Sequence, residues 1–197
     1  RPVDNSSFAA DDSKGNADNS DGTEKVIAPK TYELSKEQYV YNGKVKTPEV
    51  RIYGKHGDQL PDTAFTVKKA SGRKNVGTYA YKITFRGAYK KYGIKTLTFE
   101  ILPKGTNLTK VGRAKKALTV KWKKQTAKMP ENRINGYQIR YSLKSSMKQS
   151  KGYKKSSAKI RKLQAKKKYY LQIRTYMTVG KKTYYSKWSA KKNAITK

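Results

Sequence analysis

The only histidine, His56, stands in the stretch GKHGDQ. Metal binding and acid–base catalysis both need convergent partner groups. Around His56 the acids are few and the chain holds no cysteine, so the expected role of this residue is a solvated loop position. Carboxylates offer no better start, because a catalytic pair must lie within mutual reach. Asp58, Asp62 and the glutamates are scattered, and from residue 104 onward the only acid is Glu131. Phosphate-cradling and nucleophile motifs are absent, and Asn42-Gly43 and Asn75-Val76-Gly77 read as turns. The expectation is a polypeptide that is not an enzyme and carries no cofactor and no metal.

Charge and aromaticity point elsewhere. The formal net charge is +34, and its spread is uneven. Residues 1–24 hold six of the thirteen acids against Arg1 and Lys14, whereas residues 104–197 hold 29 Lys or Arg against Glu131 alone. The segments KWKK, SKGYKK, IRKLQAKKK and KKYYLQIR interleave these cations with Trp and Tyr. A cationic, aromatic strand face attracts polyanions. The candidate contact surface comprises Arg140, Arg161, Lys162, Lys166, Lys167, Lys168, Arg174 and Tyr176. Its expected partner is a host-cell receptor, an acidic glycan or a teichoic acid. Lys far outnumbers Arg, which favours diffuse attraction over bidentate readout of bases, so no specific nucleic-acid partner is expected. No RGD tripeptide occurs. Asn5 and Asn107 sit in N-x-S/T sequons, which matter only after expression in a eukaryote.

The elements that must position these residues read as strands. Residues 1–29 are rich in Asp, Asn, Ser, Gly and Ala, too polar to offset their ordering entropy, and are expected to form a disordered acidic leader. From Lys30 onward, short β-branched and aromatic runs alternate with turn signals every 8 to 12 residues or so, an all-β rhythm. Asn42-Gly43, between YVY and VKTPEVRI, predicts a type I′ hairpin. Val50 and Ile52, Phe65 and Val67, Ile83 and Phe85, and Leu97, Phe99 and Ile101 alternate as inward residues. Pro103-Lys104-Gly105 breaks the pattern. Beyond it Leu118, Val120 and Trp122, then Tyr137, Ile139 and Tyr141, then Tyr169, Leu171 and Ile173 are predicted inside, while Gln138, Arg140, Gln172, Arg174 and Tyr176 face outward. The fold class predicted is all-β, two antiparallel β-sandwich modules in tandem at 30–103 and 104–197 behind the leader.

The second module resembles a fibronectin type III domain. The residues that carry the likeness are the buried Trp122, Gly136-Tyr137 opening the next strand, and Leu163 six residues before Tyr169. That spacing is similar to a tyrosine corner, in which the Tyr hydroxyl returns to upstream backbone. Ala165 stands where the family often has Pro, and the closing stretch YYSKWSAKKNAIT is similar to its last loop and strand. The first module, with YNGKVKTPEVRIYGKHGDQL and NVGTYAYKITFRGAYKKYGIKTLTFEILPKG, resembles the bacterial immunoglobulin-like repeats of exported Gram-positive surface proteins. Together the likenesses imply a secreted, extracellular binding polypeptide of a Gram-positive, gut-type bacterium, associated with the cell wall before release. A free fibronectin type III polypeptide is also similar in kind to irisin-like, hormone-like secreted chains, which implies signalling at a host cell. The rival expectation is a structural spacer, a fragment of a larger cell-wall adhesin or enzyme. No apolar run reaches the roughly 18 residues of a membrane span, so no membrane insertion is expected, and a monomer is. The chain opens at Arg1 rather than Met and is read as a processed product or a piece of something longer.

Overall fold

A computed structural model describes residues 25–129, 133–147, 149–153 (backbone) and 157–197. The acidic leader lies almost wholly outside the described residues. The fold is all-β, as the alternation predicts, with two 3-10 turns (Asp62–Ala64 and Gly87–Tyr92) and no α-helix among the described residues.

The first module pairs β1 (Pro29–Leu34) antiparallel with β3 (Val50–Gly54). Its second sheet has the order β2 (Gln38–Val40), β6 (Ile94–Leu102), β5 (Gly77–Phe85), β4 (Phe65–Lys69). Ile52, Phe65, Ile83 and Phe85 close one apolar cluster, and Leu34, Tyr81, Phe99 and Ile101 close another. Aromatic edges lock the second cluster, with Tyr39 and Tyr81 each meeting the Phe99 ring edge-on at 5.6 Å between centroids. The predicted hairpin at Asn42-Gly43 does not form. Gly43 does turn the chain at φ 76°, but β2 runs parallel to β6, with the Tyr41 N–H continuing onto the Leu102 carbonyl at 2.9 Å. The Asn42 carboxamide oxygen accepts the Lys44 N–H at 3.0 Å and the Lys46 ammonium, which gives the turn an internal partner and sends residues 44–49 across to the other sheet.

The second module has one sheet of order β11 (Ser157–Ile160), β8 (Ala117–Trp122), β7 (Leu108–Ala114). Facing it are β10 (Gln149–Tyr153), β9 (Gly136–Ser142) and β12 (Lys168–Val179), with β12 bordered by β13 (Lys182–Tyr185) and β14 (Lys192–Ile195). Gly180, at φ 61°, supplies the left-handed step of the β12–β13 turn. Leu118, Val120, Trp122, Tyr137, Ile139, Leu163, Tyr169, Leu171 and Ile173 fill the space between the sheets. Trp122 packs on Tyr137 at 5.4 Å, and the Tyr169 hydroxyl accepts the Gln164 N–H at 2.9 Å, returning to upstream backbone at the corner before β12.

The modules share a third apolar cluster. Val76 and Leu102 of the first meet Met129, Met177 and Tyr184 of the second. Polar groups rim it: the Thr78 and Tyr184 hydroxyls are 2.7 Å apart, Glu100 pairs with Lys182, and Thr175 Oγ1 donates to the Lys104 carbonyl at 2.6 Å.

Candidate binding surface

The outward face of β9 and β12 brings charge and aromatic rings together. Strand register sets Gln172 beside Arg140 and Arg174 beside Gln138, so each arginine faces an amide rather than another cation. Arg140 donates from Nε (2.8 Å) and Nη2 (2.6 Å) to Gln172 Oε1, and Arg174 Nε donates to Gln138 Oε1 at 2.7 Å. Gln172 is itself fixed, because its Nε2 donates to the Ser189 carbonyl at 2.7 Å. Over these guanidinium planes lie two rings from the last stretch of chain. Arg140 stacks on Trp188 at 4.3 Å, and Arg174 is inserted between Trp188 (4.3 Å) and Tyr185 (3.8 Å). Tyr176 extends the ladder, its ring 6.2 Å from that of Tyr185. An open hollow of about 240 Å³ lies beside it, lined by Gln138, Tyr176, Thr183 and Tyr185.

The rings reach this face because the last strand is interrupted. Between β13 and β14 the chain leaves the ladder, and two serines replace the missing backbone acceptors. Ser186 Oγ accepts the Thr175 N–H at 2.9 Å and Ser189 Oγ accepts the Ile173 N–H at 3.0 Å. The β12 amides at Ile173 and Thr175 stay satisfied while Trp188 folds over the sheet. Burial pushes the Arg140 and Arg174 guanidiniums down from their ordinary range; for Arg174 the neighbouring Tyr185 raises it again and Arg140 lowers it. Guanidinium groups stay charged in proteins, so the consequence is partly desolvated, oriented positive charge.

The other predicted contact residues lie elsewhere. Lys168 and Arg174 share β12 but stand six residues apart, about 20 Å along a strand. Arg161, Lys162, Lys166, Lys167 and Lys168 cluster with the loops at the end of the second module away from the first, where all are exposed. The sequence-predicted surface is therefore two surfaces: Arg140, Arg174 and Tyr176 on the sheet, the other five at the far end. Trp188 and Tyr185 belong to the first and were not singled out from the sequence; the available signal was a tryptophan outside any alternating run. Trp122, Tyr137, Leu163 and Tyr169 are buried in the core. His56 is exposed between β3 and the first 3-10 turn, and among the described residues no three His, Asp or Glu side chains gather as metal ligands.

Residues 103–192 match the fibronectin type III domain family. No curated protein matches the chain in sequence. Among solved structures, the crystal structure of domains A168–A170 from titin aligns at 16% identity and a TM-score of 0.36, covering 87% of this chain and 68% of that one. The chicken CNTN1 FN1–FN3 domains align at 16% identity and a TM-score of 0.42, covering 85% of this chain and 66% of theirs.

Proposed function

We propose that this chain, with a fibronectin type III domain at 103–192, is a non-catalytic binding polypeptide exported by a Gram-positive bacterium, its basic second module contacting acidic partners on a host cell or the cell envelope. The observation that carries this reading is the pair of arginines oriented by Gln138, Gln172, Trp188 and Tyr185, within a module almost free of acids. Fixed cations among desolvating rings attract anions more strongly than the same charges on free side chains. Retention on immobilised heparin and binding to intact cells, measured across a salt series, test it: elution at low salt without saturable cell binding overturns the reading. Export predicts that mass spectrometry of culture supernatant finds the polypeptide. In its irisin-like form the released chain signals through a host receptor, and a saturable receptor response to the purified whole chain at nanomolar dose is the expected result.

One observation favours a second reading, a spacer. The junction around Leu102, Met177 and Tyr184 is apolar and rimmed by hydrogen bonds, which suits a stiff rod holding another domain away from a wall. A catalytic or adhesive domain elsewhere in the same gene product, with no cell binding by this chain, is the outcome that reading requires. The first module's likeness to bacterial immunoglobulin-like repeats supports either role.

A further inference from the structure

Four non-glycine residues among those described have left-handed backbone: Lys116 (φ 51°), Met147 (56°), Lys162 (60°) and Lys166 (53°). All lie at the end of the second module remote from the first. The Leu163 N–H donates to the Lys116 carbonyl at 3.0 Å, the Lys116 N–H to the Lys197 carbonyl at 3.1 Å, and Thr196 Oγ1 to the Gln164 carbonyl at 2.5 Å. The β7–β8 turn, the β11–β12 loop and the final residues are thus tied into one surface. For an L-residue this backbone region costs energy that Gly avoids and Asn largely avoids. Met147 has a packing reason, since its side chain is buried. The three lysines have none. Each is exposed, and the ion pairs among the described residues are Arg51–Glu49 and Lys182–Glu100, both elsewhere.

Strained backbone carrying a side chain that the fold does not use is evidence for a use outside the fold. Lys162 lines a cleft of about 660 Å³, and Lys116 and Lys166 stand on the loops tied to its wall through Leu163 and Gln164. Its wall offers Lys144, Arg161 and Lys162 as cations and Ser142, Ser146 and Gln164 as neutral hydrogen-bonding groups. Lys115, Lys167, Lys168 and Lys197 extend the charge across the surrounding loops, all exposed. Hydroxyl and amide groups within a ring of point charges match a chain of sugars or polyols that bears regularly spaced anions. Among these cations lysines outnumber the single guanidinium, Arg161, which favours diffuse attraction to an anionic backbone over readout of a base edge. We propose that this end of the second module binds an anionic polysaccharide or polyol chain whose repeat carries sulfate or phosphate esters. The proposal rests on the binding reading above and places the polymer at the loops rather than on the arginine ladder.

The test replaces Lys116, Lys162 and Lys166 together by Asn in the whole chain. Asn tolerates left-handed backbone, so the variant is expected to unfold at the same or a higher temperature. Its affinity for heparin, or for a poly(glycerol phosphate) teichoic acid, is expected to fall by about tenfold or more at physiological salt, with a shallower salt dependence. The polymer that binds the unaltered protein more tightly tells the sulfate source from the phosphate source. Unchanged affinity in the triple variant, with loss in Arg140→Gln/Arg174→Gln, overturns the loop site and leaves the binding reading standing. If the unaltered protein binds neither polymer, that reading itself fails. Displacement by single-stranded DNA at equal anion concentration overturns the preference for a glycan or polyol.

Discussion

Tyr81, on β5, ends in a costly environment. Its ring is wholly buried against Phe99, and its hydroxyl has no hydrogen-bond partner among the described residues. An unsatisfied buried hydroxyl costs about 1–3 kcal/mol, so Tyr81→Phe is expected to raise the stability by roughly 1 kcal/mol in denaturant unfolding, and a lower midpoint would refute the assignment. Tyr81 also contributes to the pH dependence. Burial raises its phenol above the ordinary 10.0, Arg73 opposes this and Tyr39 adds to it; Tyr32, Tyr39 and Tyr79 are raised by burial as well. Phenols that ionise later in the folded state than in the unfolded one contribute stability below pH 10.0 that is lost as pH rises through their folded values. Unfolding midpoints should therefore fall above about pH 10, and fall less steeply in Tyr81→Phe. Arg174 makes a complementary case, because its two ring contacts and its bond to Gln138 need a planar guanidinium. Arg174→Lys should cost about 1–2 kcal/mol in the same experiment. Period-two alternation sufficed to put Arg140 and Arg174 on the outer face. It could not reveal that Trp188 covers them, because Trp188 lies where the strand rhythm stops.

Among the elements, the interrupted last strand decides the most. Ser186 and Ser189 each receive a buried β12 amide, so removing either hydroxyl leaves a donor unpaired. Ser186→Ala and Ser189→Ala should each cost about 1–3 kcal/mol, and the loss should appear as a chemical-shift change at Trp188 as the rings lose their support. The corner before β12 works similarly: Tyr169→Phe removes one hydrogen bond from Gln164 and should cost about 1 kcal/mol. These features differ in how far the sequence exposed them. The spacing of Leu163 and Tyr169 was legible because the corner is a local motif with fixed separation. The parallel pairing of β2 with β6 was not, because alternation reports which face a residue takes and nothing about the neighbouring strand. Asn42-Gly43 misled for a related reason: the dipeptide encodes a turn, whereas a hairpin also needs two strands that prefer each other.

At the scale of the whole molecule the two sandwiches are joined by an interior of their own. Met177 is buried against Val76, Leu102 and Met129, so Met177→Ala removes atoms from the contact between modules rather than from either module's centre. The expected loss is about 2–5 kcal/mol, and calorimetry should show one cooperative transition separating into two. Unchanged cooperativity would mean that the modules fold independently. Nothing in the sequence announced this contact, since Val76, Met129 and Met177 stand in unrelated stretches with no shared period. The lysine-rich end was equally hidden as a separate place, because neighbours in sequence such as Lys168 and Arg174 are carried apart by the straightness of β12. The serine-bridged break in the closing strand also bears on how many copies meet. With β13 and β14 only four residues each and the stretch between them off the strand, this border gives an incoming chain too short a row of free amides and carbonyls to template on, which disfavours fibril growth by strand addition at that side.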